Sequence, residues 1–135
     1  MQTWQTFLLV LFLHVFADFN MQIGGTLHNL KSKDWWVGIT AKSVWGSANE
    51  QYRKYKYDYL VGLIAHASEW TFVTFLPILW NTSALLAMSI YFPNVAVHAY
   101  IDHLKANRYK INLWQDQLLH LAQIILTFGV WMIWR

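Results

Sequence analysis

The sequence predicts an all-α membrane protein, a bundle of four transmembrane helices forming a single domain over residues 1–135. Hydrophobic residues make up 56% of the chain and charged residues only 13%, whereas ordinary soluble domains carry roughly 25% charged residues. This composition excludes a disordered chain or a nucleic-acid-coating protein, so no nucleic acid partner is expected. Four apolar segments are each close to the ~20 residues that cross a bilayer core, and they indicate four membrane-spanning helices.

The predicted membrane spans cover residues 4–20, 58–80, 83–105 and 112–134. The first has no basic residue before its apolar run and no small-residue cleavage motif, which favours a retained helix over a signal peptide. Thr82 or Ser83 is predicted to cap the third helix. Pro93 is predicted to kink that helix or to begin a new one at Asn94. Two loops then lie on one side of the membrane, with a short turn on the other.

The loop between the first two spans, residues 21–57, is too polar to cross a membrane and too rich in Trp and Tyr to be a plain linker. It is predicted to lie along the membrane surface in contact with lipid, with a short amphipathic helix around Asp34 to Trp45. All but one of the 10 lysine and arginine residues lie in or beside this loop and the loop after Lys105. The excess of positive charge places both loops in the cytoplasm and both termini outside.

Three of the predicted spans carry a histidine and an aspartate four residues apart, and these pairs are His14 and Asp18, His98 and Asp102, and the reversed Asp116 and His120. Residues at this spacing share one helix face. The reversal fits the topology, because the fourth span runs away from the basic loops. His66 lies at the depth of the other three histidines, while Gly62 takes the place of a fourth shallow carboxylate. The spacing therefore predicts an imidazole layer below a carboxylate layer.

These layers predict a metal centre. The chain has no cysteine, which excludes thiolate sites and leaves imidazole and carboxylate as the strong ligands. The predicted ligands are His14, Asp18, His66, His98, Asp102, Asp116 and His120. Seven ligands suit two ions, or one ion whose ligands are oriented by the carboxylates, with zinc favoured over iron or manganese. A purely structural polar network and a path for protons or ions are the alternatives.

Catalytic roles follow from position relative to these layers. Asp102 and Asp116 are predicted to bridge ions or to activate a metal-bound water. Glu69 lies one turn beyond His66 and is a candidate general base, although a partner of the ligands or a buried neutral acid fits equally. Lys105 is predicted to neutralise charge on an anionic substrate, and Lys31, Lys33 and Lys42 can approach from the long loop. Setting the topology and attracting anionic lipid also explain these lysines.

The ordered motifs resemble those of domain-of-unknown-function 3307, a family of short bacterial and phage membrane proteins. The residues that carry the resemblance are His14–Gln22, His66, His98–Lys105 and Asp116–His120. The resemblance implies a protein of the bacterial, or phage-infected, inner membrane and brings no established activity. More distantly, the His and Asp pairs look like those of inner-membrane metal-dependent hydrolases and zinc-dependent phospholipase C. This second likeness implies a helical multi-metal centre that hydrolyses phosphoester bonds.

Three functions are therefore predicted, in order of preference. The first is a metal-dependent hydrolase acting on an anionic lipid-linked or phosphorylated substrate at the cytoplasmic leaflet. The second is a transporter or channel for protons or metal ions. The third is a non-catalytic phage or bacterial membrane adaptor held together by a metal or a polar network. A homodimer is also expected, because four short spans barely shield a polar centre from lipid.

Overall fold

The computed structural model describes residues 2–20, 29–41 and 55–135. Within these ranges every regular element is helical and no strand occurs, which confirms the all-α prediction. The helices are α1 (Thr3–Val15), α2 (Lys33–Ala41), α3 (Asp58–Trp80), α4 (Ala84–Ala106) and α5 (Leu113–Trp134). A π-helical turn, Phe16–Asn20, directly continues α1.

Three helices are long and apolar enough to cross a membrane. Helices α3, α4 and α5 have 23, 23 and 22 residues and mean hydropathies of 1.2, 1.4 and 1.5 over their most apolar windows. Their bounds agree with the predicted spans to within one residue. The first predicted span forms a shorter apolar helix over Thr3–Phe19. The sequence thus predicted three membrane-length helices correctly. The fourth predicted span is a helix that falls short of this length.

Large apolar side chains cover the outside of the bundle. Val61, Leu85 and Ile133 are 72%, 78% and 80% exposed, and many other Leu, Ile, Phe and Trp side chains of the same helices also point outward. Soluble monomers rarely expose so much contiguous apolar surface. This exterior is that of a protein whose helices contact lipid.

The four long helices form a closed ring. Helix α1 packs on α3, α3 on α4 and α4 on α5, and α5 in turn touches α1. Short connections make α3, α4 and α5 antiparallel neighbours. The Ser83 hydroxyl accepts a hydrogen bond from the Leu86 N–H at 3.5 Å, as the predicted cap requires. Asn112 and Gln115 form a reciprocal capping box at the start of α5, with both hydrogen bonds at 3.0 Å.

Pro93 does not interrupt α4, which runs continuously from Ala84 to Ala106. The predicted alternative of a new helix at Asn94 is therefore wrong. The Asn94 side chain donates to the Ile90 carbonyl at 2.8 Å and accepts hydrogen bonds from α5. Proline is tolerated inside membrane helices, where neighbouring groups compensate for the backbone hydrogen bond that it cannot make.

The two ends of the bundle differ in chemistry. We call the end that carries the 21–57 and 107–112 connections the basic end, and the end with the 81–83 turn the terminal end. The apolar core lies mainly toward the terminal end and includes Phe75, Ile78, Ile90 and Trp131. Toward the basic end the buried residues include histidines and aspartates, which the apolar core lacks.

The segment with α2 lies against the basic end. Its backbone is held by Asn107, whose side-chain oxygen accepts from the Lys33 N–H at 2.7 Å while its amide donates to the Lys31 carbonyl at 3.0 Å. Helix α2 contacts α3. A short helix was predicted around residues 34–45, and α2 confirms it as far as Ala41; residues 42–45 lie outside the described ranges.

Candidate metal centre

Asp102 of α4 lies at the centre of the polar interior and is only 2% exposed. Its Oδ2 atom is 2.7 Å from Lys31 Nζ, 3.2 Å from His66 Nε2 and 3.7 Å from His98 Nε2. Its Oδ1 atom is 3.7 Å from His120 Nε2. One carboxylate thus joins α3, α4, α5 and the segment before α2.

Asp116 of α5 forms a second carboxylate centre beside the first. Its Oδ1 atom lies 3.5 Å from His120 Nε2, and its Oδ2 atom accepts from Lys105 Nζ at 2.5 Å. The Gln117 amide donates to Asp116 at 3.2 Å and to Asp18 at 2.5 Å. Gln117 therefore connects the carboxylate from the π-helical turn after α1 to the carboxylate of Asp116 on α5.

Six of the seven predicted ligands meet in overlapping groups. In each group the ligand atoms lie within 4.8 Å of one another, and the groups are Asp18 with His66 and His98, His98 with Asp102 and His120, and Asp18 with Asp116 and His120. Each group shares a residue with the other two, so the six form one site. We call these six residues the His–Asp cluster. Imidazole with carboxylate is a ligand set that zinc, iron and manganese accept.

His14 is buried beside the cluster but belongs to none of the ligand groups found in the described chain. The Trp70 indole N–H donates to His14 Nδ1 at 3.2 Å. Because an indole nitrogen only donates, Nδ1 must accept, and a neutral His14 then carries its proton on Nε2. Neither nitrogen offers a lone pair in this arrangement. The role of His14 as a ligand stays a prediction, and its observed place is that of a supporting residue.

Trp70 is a residue of this site that sequence reasoning missed. Its indole stacks on the His98 ring with centroids 4.0 Å apart, and it lies 5.3 Å from the His120 ring. The side chain is 1% exposed and fills the space below the cluster. Trp70 follows His66 by four residues, the same spacing as in the His and Asp pairs. That spacing is a usable signal, although Trp70 itself carries no ionisable group.

Lys31 is the other unexpected member of the site. The sequence does not distinguish it from Lys33 or from Lys42, which lies outside the described residues. In the structure Lys31 is 4% exposed and paired with Asp102. Lys105, the predicted cation, pairs with Asp116 and remains partly accessible, with 30% of its side chain exposed.

Gly62 explains how Lys31 reaches the interior. A Cβ atom at this position would lie 2.5 Å from the Leu30 carbonyl oxygen and 2.7 Å from its carbon. Such contacts are closer than real Cβ atoms tolerate, so only glycine lets the 29–31 backbone approach α3 this closely. Position 62, where the sequence has glycine and not a fourth carboxylate, is therefore where the segment that carries Lys31 packs against α3.

Several cluster atoms are buried without a hydrogen bond. Among the described residues these are His98 Nδ1, Asp116 Oδ1 and both ring nitrogens of His120. An unsatisfied buried polar atom costs about 1–3 kcal/mol. Unused lone pairs on buried imidazole and carboxylate groups fit a divalent cation.

A cavity of about 270 Å³ connects the cluster to the basic end. Its walls include Lys31, Trp35, Asp102, Lys105 and Tyr109, and we call it the entrance cavity. Tyr109 has a left-handed backbone with φ of 53°. Its hydroxyl donates to the Asp34 carboxylate, which raises the pKa of Tyr109. This bond ties the α4–α5 loop to α2 across the mouth of the cavity.

Glu69 is partly buried on α3. It joins no ligand group within the part of the chain that the structure describes. Its role as a general base therefore stays a prediction. Asp102 is instead the carboxylate that lines the entrance cavity.

Comparisons with protein families, curated proteins and solved structures find no match for this chain. The resemblance of its motifs to domain-of-unknown-function 3307 and to the inner-membrane hydrolases therefore stays a prediction. Function has to be argued from the chemistry of the His–Asp cluster and of the cavity beside it.

Proposed function

We propose that this protein is a membrane-embedded metalloenzyme whose His–Asp cluster binds one or two divalent transition ions. Zinc is the preferred ion, with iron or manganese as alternatives. The substrate is an anionic lipid-linked or phosphorylated molecule that is hydrolysed at the cytoplasmic leaflet. One observation carries this proposal: six ligand-type side chains from four helical elements converge in a buried site. Charged groups in a membrane interior are costly and usually mark a functional site.

The chain's own residues divide the work. His66, His98 and His120 would hold the ion or ions together with Asp18 and the two other aspartates. A bound divalent ion would supply Lewis acidity and lower the pKa of water toward neutrality. No protein nucleophile is then needed.

Residues facing the substrate have separate tasks. Asp102 lines the entrance cavity, so its carboxylate can accept a hydrogen bond from the attacking water. Lys105 lies in the same wall and would neutralise negative charge that develops on the substrate. Glu69 lies one turn beyond His66 on α3. It is the candidate general base that would receive a proton.

The membrane setting follows from the charges and the apolar surface. We propose that α1 with Phe16–Asn20 forms a short fourth span, since Leu8, Phe12 and Phe16 point outward. The basic end would face the cytoplasm of a bacterial or phage-infected cell, with both termini outside. A homodimer would shield the short first span from lipid.

Transport of protons or metal ions is the second candidate, and one observation favours it. Buried polar residues continue along α5 from His120 to Gln123 and Thr127, and Asn94 lies one turn beyond His98 on α4. Chains of Asp, Glu and His relay protons in membrane pumps, and the polar side chains beyond His98 and His120 would extend such a path toward the terminal end. Flux across proteoliposomes that stops with Asp102→Asn would support this candidate.

Metal-dependent turnover tests the enzyme proposal. Purified protein loaded with Zn²⁺ or Mn²⁺ is incubated with phospholipids and lipid-linked phosphates, and the released phosphate or phosphorylated headgroup is measured. We expect turnover that disappears with chelator or with Asp102→Asn and persists in Lys33→Gln, whose side chain lies outside the entrance cavity. Metal-loaded protein that hydrolyses none of these phosphoesters would contradict the proposal.

A further inference from the structure

Two lysines occupy the carboxylates that a metal ion would need. Lys31 Nζ lies 2.7 Å from Asp102 Oδ2, and Lys105 Nζ lies 2.5 Å from Asp116 Oδ2. Both aspartates belong to ligand groups of the His–Asp cluster. An ammonium group and a divalent ion therefore compete for the same oxygens.

The charge balance of the two lysine–aspartate pairs becomes positive when an ion binds. Lys31 and Lys105 match the charges of Asp102 and Asp116, so these four side chains sum to zero. One divalent ion makes the balance positive by two, and two ions make it positive by four. Uncompensated charge is expensive in a buried site within a membrane. The loaded site therefore requires an anion, and a phosphate dianion offsets the charge of one ion.

The entrance cavity is where that anion would meet the lysines. Lys31, Lys105 and Asp102 all line it, so an ammonium released from its carboxylate remains in the cavity wall. A volume of about 270 Å³ is slightly below that of pockets for drug-sized ligands. The space suits a phosphate with a small headgroup, while acyl or prenyl chains stay in the bilayer.

We infer that a phosphate group binds between Lys31 and Lys105 once a divalent ion holds Asp102 and Asp116, so that ion and phosphate bind cooperatively. This inference rests on the proposed metal site and deepens it. It names the substrate class, a phosphomonoester or phosphorylated headgroup, and it names Lys31 as a substrate-binding residue. Coupling of this kind is reciprocal: phosphate must raise the affinity for the ion as much as the ion raises the affinity for phosphate.

Removing a lysine has two opposite consequences. Lys31→Gln deletes the ammonium that competes for Asp102, so the affinity for the ion without phosphate rises. The same change deletes a phosphate contact, so the enhancement by phosphate falls. A lysine that only stabilises the fold would not produce this pair of opposite effects.

The test is equilibrium binding of Mn²⁺ to the detergent-purified full chain, with and without inorganic phosphate and corrected for Mn²⁺ bound by phosphate in protein-free buffer. We expect phosphate to tighten Mn²⁺ binding by about fivefold or more, the lower end of typical coupling. In Lys31→Gln, binding without phosphate tightens and the enhancement disappears. Lys33→Gln is the matched control and leaves both quantities unchanged. Lys105→Gln, at a partly exposed position, repeats the test if Lys31→Gln does not fold.

The outcomes separate the two proposals. Mn²⁺ binding that phosphate leaves unchanged would overturn this inference while the metal site stands. No Mn²⁺ binding by folded protein would overturn the metal site and this inference together. Short-chain phosphatidic acid replaces inorganic phosphate in a second series. Stronger coupling with the lipid assigns the phosphate to a lipid headgroup, and equal coupling assigns it to a free or soluble phosphate.

Discussion

This bundle contains two buried polar regions, one after the other along its axis. They differ in which buried polar atoms lack a hydrogen-bond partner. Toward the terminal end, Asn94, Gln123 and Thr127 form an amide network. The Gln123 amide donates to the Asn94 carbonyl at 2.9 Å and to its side chain at 2.8 Å, and the Thr127 hydroxyl donates to the same side chain at 2.9 Å. The His–Asp cluster toward the basic end is charged and retains four buried atoms without hydrogen bonds among the described residues.

The comparison separates two reasons for placing polar groups in a membrane. Neutral amides and hydroxyls that bond to each other across α4 and α5 are explained by helix association. In the described part of that network, only the side-chain oxygen of Gln123 lacks a hydrogen-bond partner. Charged carboxylates and unpaired imidazole nitrogens cost stability and do not improve packing. Only the cluster therefore requires a ligand to account for it.

The largest effect is expected from Asp102→Ala. The change leaves the buried Lys31 ammonium without its carboxylate, and losing one partner of a buried ion pair costs about 3–5 kcal/mol. Thermal unfolding in detergent, followed by tryptophan fluorescence, measures the loss. The double variant Lys31→Met with Asp102→Leu removes both charges and should regain most of the stability without binding metal. Equal stability of the single and double variants would contradict the assigned ion pair.

Gly62→Ala should have the next largest effect. Its new methyl group meets the Leu30 backbone, and overpacking of this kind costs about 1–3 kcal/mol. The 29–31 segment must move away, so Lys31 leaves Asp102 and limited proteolysis between α1 and α3 becomes faster.

Gly129→Ala is the matched control for that change. No described atom lies within 4 Å of a Cβ atom at position 129, and alanine is favoured over glycine in a helix by up to about 1 kcal/mol. We expect unchanged or slightly higher stability. Similar losses at both glycines would show that the close approach of Leu30 to α3 is not the cause.

Gln123→Leu should have the smallest effect and sharpens the comparison most. It removes the two hydrogen bonds from Gln123 to Asn94 and leaves the one from Thr127, and such bonds between membrane helices average about 0.6 kcal/mol. Metal binding should be unchanged because Gln123 belongs to no ligand group. Chemical unfolding together with a metal assay checks both statements. Loss of metal in this variant would mean that the two polar regions act as one.

Much of this architecture could be predicted from local patterns. The length of the apolar segments alone predicts α3, α4 and α5, because a bilayer sets the length of the helices that cross it. The four-residue spacing of His98 with Asp102, and of Asp116 with His120, placed these side chains at one depth. Antiparallel packing of neighbouring helices then brought them together.

Other features depend on contacts between distant parts of the chain. Lys31 reaches Asp102 only because Asn107 holds its backbone and Gly62 leaves room, and no periodicity relates these three positions. Trp70 carries no charge, so the pattern of ionisable pairs does not include it. Pro93 was expected to kink α4 or to begin a new helix, whereas α4 runs continuously through it.

Metal analysis of the purified protein is the most direct test of the central claim. Plasma mass spectrometry should find about one or two equivalents of a transition metal in the wild type, as one-ion and two-ion sites require. His120→Gln should lose this metal, while Gln123→Leu, at another buried polar position on the same helix, should keep it. Folded wild-type protein that contains no transition metal, and takes up none when it is supplied, would contradict the account.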